Sequence, residues 1–521
     1  MSEPEAGQEP LPGLESVAAA SHPDAAPVNS ARPRVRAVNR SQLTWQMLDV
    51  ERLIELDHPA RAIWELSGRL KLEGFYAPIE AVEGSAGRTP WDPRLLVSLW
   101  IYAYSRGISS AREIARRCTY EPAFQWLCGL GEINHHTLSD FRVAHDASLR
   151  ELFVQVLGVL SSEGLVSLER VMHDGTRIKA CAGADSFRRE ERLKEHLAAA
   201  RKQVEAMGDP RQDEPTRKRA AQERVLRERQ QRLEQALEEV QKVRQAKRSQ
   251  DKDQARASQS DPQARIMKQS NGGYAPSYNV QLSTEASHRI IVGTGVTQSG
   301  SDYGQLISAI ARVEANLGKR PVQVVVDGGL TTRENIMSMA EQGIDFVGSL
   351  AEVNQRIAGQ KAKRGVTEDF YTNKFVYDAP QDVFRCPAGE ILRHKGRDFR
   401  LGVIFHQYRA PTERCRVCAF QSKCCPGNLH HGRSVIRTER APAMQQFAEK
   451  MQTEAAKAIY RQRGAVAEFP NAWIKDKLGV KQFRLRGLIK VSLEVLWAAL
   501  TYNIQQWIRL SWRTKLALAN N

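Results

Sequence analysis

Pro321-Val322-Gln323-Val324-Val325-Val326-Asp327-Gly328-Gly329 is a short β-branched run that ends in an acid and two glycines. A continuous apolar run of this length fits a buried strand, with Asp327 at its carboxyl end. Upstream, Leu168 to Lys179 reads L-E-R-V-M-H-D-G-T-R-I-K, which predicts strand, glycine turn and strand. Strand patterns resume at Tyr278–Ser283 and His288–Val296. A helix pattern follows on Leu306, Ile307, Ile310 and Val313, and beyond Asp327 come a helix over 332–342 and a strand over 344–349. Adjacent strands followed by alternating helices and strands predict a mixed sheet with helices packed on it, an α/β (α+β) fold.

The flanking sequence divides the rest of the chain. Residues 1–40 comprise a Pro-, Ala-, Glu- and Ser-rich tail to about residue 30, read as disordered, and then a basic linker with Arg32, Arg34, Arg36 and Arg40. Residues 41–165 read as a helical N-terminal domain suited to DNA binding. Asp92-Pro93 forms an N-cap and first position ahead of Leu95, Leu96, Leu99, Trp100 and Tyr102, and Ser109 or Ser110 caps a helix from Ala111. Asn134 to Arg142 reads as a turn, a Thr137 cap and a short helix with outward polar residues, Arg142 among them as a DNA contact. Residues 166–185, 260–370 and 436–512 form the core around the sheet.

Two inserts interrupt that core. Over 186–259, Leu193, Leu197, Val204 and Met207 share helical spacing, and so do Leu226, Leu233, Leu237 and Val240. Gly208-Asp209-Pro210 breaks the pattern between them, which predicts a helical hairpin or short coiled coil. Over 371–435 the pattern breaks again and cysteines cluster. Cys386 precedes Cys415-x2-Cys418-x5-Cys424-Cys425. Thiolates at C-x2-C spacing suit one tetrahedral ion, so Cys386, Cys415, Cys418 and Cys424 are candidate ligands for a structural Zn²⁺, with Cys425, His430 or His431 as substitutes.

The chain has 521 residues, 76 Lys plus Arg against 60 Asp plus Glu, a formal net charge of +16 and a pI near 9.5. With 41% hydrophobic and 26% charged residues it is neither disordered, collagen-like nor disulfide-stapled. No span supplies the ~18 apolar residues of a membrane helix. The first basic residue is Arg32, which does not fit a secretory signal. Eight cysteines without such a signal point to a reducing, cytoplasmic compartment. The excess positive charge points to a polyanion, nucleic acid first.

Three acids stand apart. Asp174 and Asp327 each lie at a strand end before glycine, and Glu468 lies in a helical stretch. Carboxylates from separate elements that converge on one point suit divalent-metal phosphodiester chemistry. Pro470 disturbs the helix at Glu468, so that Glu468 lies near a kink or a new helix begins near Phe469. Glu494, in a cleaner helix among apolar neighbours, is the rival third acid or a buried partner for Arg484 or Arg486.

Residues His173 to Ala180 resemble the first-aspartate motif of bacterial DDE insertion-sequence transposases, and Val324 to Gly329 resemble the second. Tyr460-x2-Arg463-x4-Glu468-x6-Lys475 is similar to their Tyr-Arg-Glu-Lys signature. Asp57 to Arg61 and His136 to Arg142 resemble their helical leader domain, while Arg486-Gly487-Leu488 and the Glu494…Tyr502-Asn503 helix resemble their tail. The resemblance spans about residues 40–510. It implies an RNase H-like core, with Asp174, Asp327 and Glu468 holding two Mg²⁺ or Mn²⁺. It also implies Tyr460, Arg463 and Lys475 on DNA phosphates. The implied partners are double-stranded DNA, the terminal inverted repeats of the mobile element and target DNA, with a homodimer at synapsis, nucleoid association and no membrane. His173, turned to the opposite face from Asp174 by strand alternation, reads as structural. Trp497, Tyr502 and Trp507 read as core.

Overall fold

The computed structural model describes residues 43, 47–81, 89–207, 216–349, 358–400, 403–427, 430–439 and 442–519. The tail, the basic linker and the 208–215 breaker lie outside these residues. Among the described residues six helices of seven residues or more, besides a single turn at Glu73–Tyr76, precede the sheet: α1 (Pro59–Arg69), α2 (Pro93–Ser105), α3 (Ala111–Arg117), α4 (Pro122–Cys128), α5 (His135–Ala144) and α6 (Asp146–Ser162). Asp92 caps α2 by accepting from Arg94 N, and Pro93 fills its first position. Ser110 caps α3. The cap of α5 is Asn134, not Thr137; Asn134 Oδ1 accepts from His136 N at 2.8 Å, and asparagine three residues earlier starts the helix sooner.

Between this bundle and the second strand stands a helical hairpin, α7 (Glu190–Met207) and α8 (Thr216–Ala246). Leu193, Leu197, Ala200, Leu233, Ala236 and Val240 are buried along its seam. Arg201–Glu234 at 3.0 Å and Arg244–Glu190 at 3.2 Å bridge the two helices.

The main sheet contains β1 (Arg170–Lys179), β2 (Arg265–Lys268), β3 (Tyr274–Glu285), β4 (Ile291–Thr297), β5 (Gln323–Val326) and β6 (Asp345–Val347). β1 is central, antiparallel to β3 and parallel to β5. β2 and β4 pair antiparallel with successive parts of β3, and β6 is parallel to β5. Helix α9 (Leu306–Leu317) connects β4 to β5, and α10 (Arg333–Glu341) connects β5 to β6. An antiparallel trio continued by two parallel strands is the RNase H-like order, a mixed α/β fold. β1 runs unbroken through Gly175, whereas a turn is expected there from sequence. The space left by the missing side chain is taken by Asp302, whose Oδ1 would lie 1.9 Å from a Cβ at Gly175.

The cysteine-rich segment builds its own antiparallel meander, which the sequence pattern does not announce. Its strands are β7 (Val376–Asp378), β8 (Val383–Arg385), β9 (Ile391–Arg400), β10 (Val403–Arg409) and β11 (Ser434–Glu439), paired in chain order. Phe375, Phe384, Leu392, Tyr408 and Val435 form its small core.

The chain then returns to the main sheet through α11 (Pro442–Lys450), α12 (Glu454–Arg461), a π-helical turn at Gly464–Glu468, α13 (Phe469–Asp476) and α14 (Leu488–Trp507). α14 is nearly all buried, and Trp497, Tyr502 and Trp507 are core residues in it. Asn503 Nδ2 donates to Ile291 O at 2.8 Å and its Oδ1 accepts from Ile291 N at 2.9 Å. That exchange satisfies the backbone of β4 beside the register shift at Ser283/Thr284. Among the described residues no helix is long and apolar enough to cross a membrane.

Candidate functional site

The parallel register of β1 and β5 aligns His173 with Val326, which places the next residues, Asp174 and Asp327, side by side on one face. On that face Met172 and Val325 pack against Val466 and Ala467 of the π-helical turn. Glu468 is the next residue of that turn, on the same side of the sheet. A π-helical turn shifts the hydrogen-bond ladder by one residue, which accommodates Pro470 at the start of α13. Both readings of the proline thus hold in part: Glu468 ends an irregular turn and a new helix starts at Phe469.

Burial pushes the Asp174 carboxyl up to about 6. The Arg463 guanidinium draws it down, and Asp327 and Asp302 add to the rise. The same Arg463 reaches Glu468, with its Nη2 3.6 Å from Glu468 Oε1. Asp327 Oδ1 accepts from Leu330 N at 2.9 Å, which fixes the loop after β5. Glu468 is 65% exposed at its side chain, so it can swing. Among the described residues no three acidic, imidazole or thiol groups converge closely enough to hold an ion as they stand. The candidate ligand atoms are carboxylate oxygens, and Asn471 Oδ1 is a buried acceptor without a hydrogen-bond partner beside Asp174. That donor set fits a hard divalent cation.

Two groups at the site have no sequence signal. Asn471 Nδ2 donates to Asp174 Oδ2 at 3.0 Å. Asp302, on the opposite face over Gly175, accepts from Asn279 Nδ2 at 2.8 Å and Gln281 Nε2 at 2.7 Å. His173 continues that network, with Nε2 2.9 Å from Gln281 Oε1 and Nδ1 3.0 Å from Ser283 Oγ. Burial pushes its imidazole down to about 4, so it is neutral and structural.

Of the cationic candidates, Lys475 Nζ donates to Thr176 Oγ1 in β1, two residues from Asp174. Burial lowers its pKa and the nearby Asp174 raises it. The Arg463 guanidinium lies 6.0 Å from the Tyr460 ring. Arg142 departs from expectation. It is 5% exposed, donates from Nη1 to Ser109 O at 2.7 Å, lies 3.0 Å from Glu494 Oε2 and sits over the Trp100 ring. The apolar neighbours Leu138 and Phe141 turn α5 so that this arginine faces inward. Glu494 is fully buried and accepts from Arg484 N and Leu485 N as well. Its role is therefore internal, and its side-chain partner is Arg142 rather than Arg484 or Arg486.

Cys386, Cys415, Cys418, Cys424 and Cys425 line a cavity of about 30 Å³ beside the meander. Cys386 Sγ accepts from Glu390 N at 3.3 Å and Cys415 Sγ from Arg433 N at 3.4 Å. Burial pushes the Cys415 thiol up. Cys118 and Cys128, which look isolated in sequence, face each other at 3.4 Å in the N-terminal bundle.

Residues 385–508 match the family model described as a transposase DDE domain, and residues 48–144 match that of a transposase domain, DUF772. The first match contains Tyr460, Arg463, Glu468 and Lys475. No curated protein matches the chain. Among solved structures, the chain is similar to the piggyBac transposase synaptic complex with hairpin DNA, at 9% identity and a TM-score of 0.23. That match covers 88% of this chain and 82% of the other, and a TM-score this low carries no inference. The class that the two family models support is a transposase of the DDE type.

Proposed function

We propose that the protein cuts phosphodiester bonds at the ends of a mobile element, an insertion sequence, and joins the freed 3′ ends to target DNA. The observation that carries this reading is the pairing of Asp174 and Asp327 side by side at the ends of parallel strands, beneath the turn that bears Arg463 and Glu468. Asp174, Asp327 and Glu468 would hold two Mg²⁺ or Mn²⁺, whose charge would stabilise the attacking and leaving oxygens. Arg463 and Lys475 offset phosphate charge close to Asp174, and Tyr460 borders the same strand path. The helical leader, residues 41–165, engages DNA by a surface other than Arg142. The boundaries at 166, 186, 260, 371 and 436 separate core from inserts, and a homodimer holds both terminal repeats. Cytoplasmic, nucleoid-associated action follows from the DNA substrate.

Zn²⁺ in the cysteine cavity would fix the meander. The five cysteines lining one cavity and the backbone N–H bonds to the sulfurs of Cys386 and Cys415 support it, with the thiols drawing together on binding.

The experiment is strand cleavage of labelled duplex from the flanks of the coding sequence, with Mg²⁺ or Mn²⁺. A discrete metal-dependent cut is expected, lost in Asp327→Ala and Glu468→Gln while DNA binding persists. Binding without cleavage in either metal would favour a DNA-binding descendant without chemistry. Cleavage without joining would favour a nuclease.

A further inference from the structure

Beyond the acids, the segment from Asn471 to Arg486 runs alongside β1 and the residues after it. The contacts are ordered along the strand. Asn471 meets Asp174 and Lys475 meets Thr176. Phe483 N donates to Lys179 O at 2.8 Å, Gln482 Nε2 to Ala180 O at 3.0 Å, and Arg486 Nε to Cys181 O at 3.2 Å. At ~3.3 Å per residue, the five to seven steps from Asp174 to Lys179 and Cys181 span roughly 17–23 Å.

This segment ends in a cleft of about 710 Å³ whose far wall is α8 of the hairpin insert. Arg484, Arg486 and Lys490 line one side and Arg232 the other; the acid lining it, Glu228, lies 3.3 Å from Arg224. Among the described residues Arg232, Arg486 and Lys490 form no ion pair. The first two N–H groups at the start of α14 are already used, Gly487 N by Asp261 Oδ1 and Leu488 N by Gln263 Oε1. The cationic side chains, rather than the helix end, are therefore what an anion would meet. Arg232 is held in place because α8 is tied to the core two turns further on, where buried Glu239 bonds Arg265 and accepts from Gln298 Nε2 at 3.3 Å.

We propose that this cleft grips the DNA backbone about 5–7 nucleotides from the cleavage point, at ~3.4 Å per nucleotide, and that the hairpin insert acts as the outer jaw. The inference rests on the transposase reading above. It assigns the insert a role in holding DNA, and it makes Arg232, Arg486 and Lys490 phosphate contacts.

The test measures binding to a 40-bp duplex from the element end against NaCl concentration. Each lost phosphate contact lowers the slope of log K against log salt by about 0.9, so the Arg232→Ala/Arg486→Ala/Lys490→Ala variant should lose about 2.7. The corresponding lysine variant, Arg232→Lys/Arg486→Lys, should keep the wild-type slope, which separates lost charge from lost folding. Phosphate-ethylation interference should fall about 5–7 nucleotides from the cut and vanish in the alanine variant. An unchanged slope with wild-type DNA binding intact overturns the cleft proposal alone. A wild-type protein whose DNA binding shows no salt dependence overturns both this and the transposase reading.

Discussion

Replacing Glu494 with alanine discriminates the two candidate third acids by stability as well as by activity. The carboxylate is fully buried, faces Arg142 at 3.0 Å and accepts from the backbone of Arg484 and Leu485. Removing it leaves a guanidinium buried without its counter-charge, a loss of about 3–5 kcal/mol. The two amide N–H groups lose their acceptor as well, at ~1–3 kcal/mol each when left buried, and the terms are not additive. We expect Glu494→Ala to lower stability by about 4 kcal/mol or more. Urea unfolding followed by tryptophan fluorescence is a suitable assay, because Trp100 and Trp497 lie beside the pair with ring centroids 6.4 Å apart. Glu468→Ala, at an exposed side chain, should stay within about 0.5 kcal/mol of wild type and lose cleavage. A Glu494→Ala protein with an unchanged urea midpoint and no cleavage would refute the reasoning and make Glu494 the third acid.

The other predictions concern the same elements. Because the folded-state pKa of Asp174 is raised from 3.8 to about 6, its contribution is most favourable below pH 4 and is lost as pH rises through 6. Asp174→Asn should therefore stabilise the protein in EDTA above pH 6, by up to about 3 kcal/mol, and not at pH 4. Urea midpoints across that range check it, and equal midpoints at pH 7.5 would count against a desolvated acid. Gly175→Ala must displace Asp302 from its place over β1 and should cost about 1–3 kcal/mol; a crystal structure with Asp302 unmoved would show that the strand yields instead. Cys415→Ser should reduce bound zinc, measured by elemental analysis, and raise protease sensitivity within 385–439. Stoichiometric zinc in that variant would place the ion elsewhere.

Much of the architecture is legible in the chain itself. Local hydrophobic pattern suffices for the 323–326 strand, for α2 with its Asp92-Pro93 start and for the hairpin of α7 and α8, because each signal lies within a few residues. The resemblance of three short motifs to those of a transposase family makes Asp174, Asp327 and Glu468 the candidate acids. What the sequence does not contain is which way a side chain faces once distant elements pack. Arg142 looks like an outward cation on a short helix, yet Glu494, more than 350 positions later, draws it inward. Gly175 reads as a turn because Asp-Gly often is one; only Asp302, brought over from the loop before α9, shows why the strand needs a bare backbone there. Asn471 and the cleft facing α8 likewise depend on the chain folding back along β1. Hydrogen bonds and ion pairs between residues hundreds of positions apart leave no periodicity to read, so the tertiary structure alone decides them.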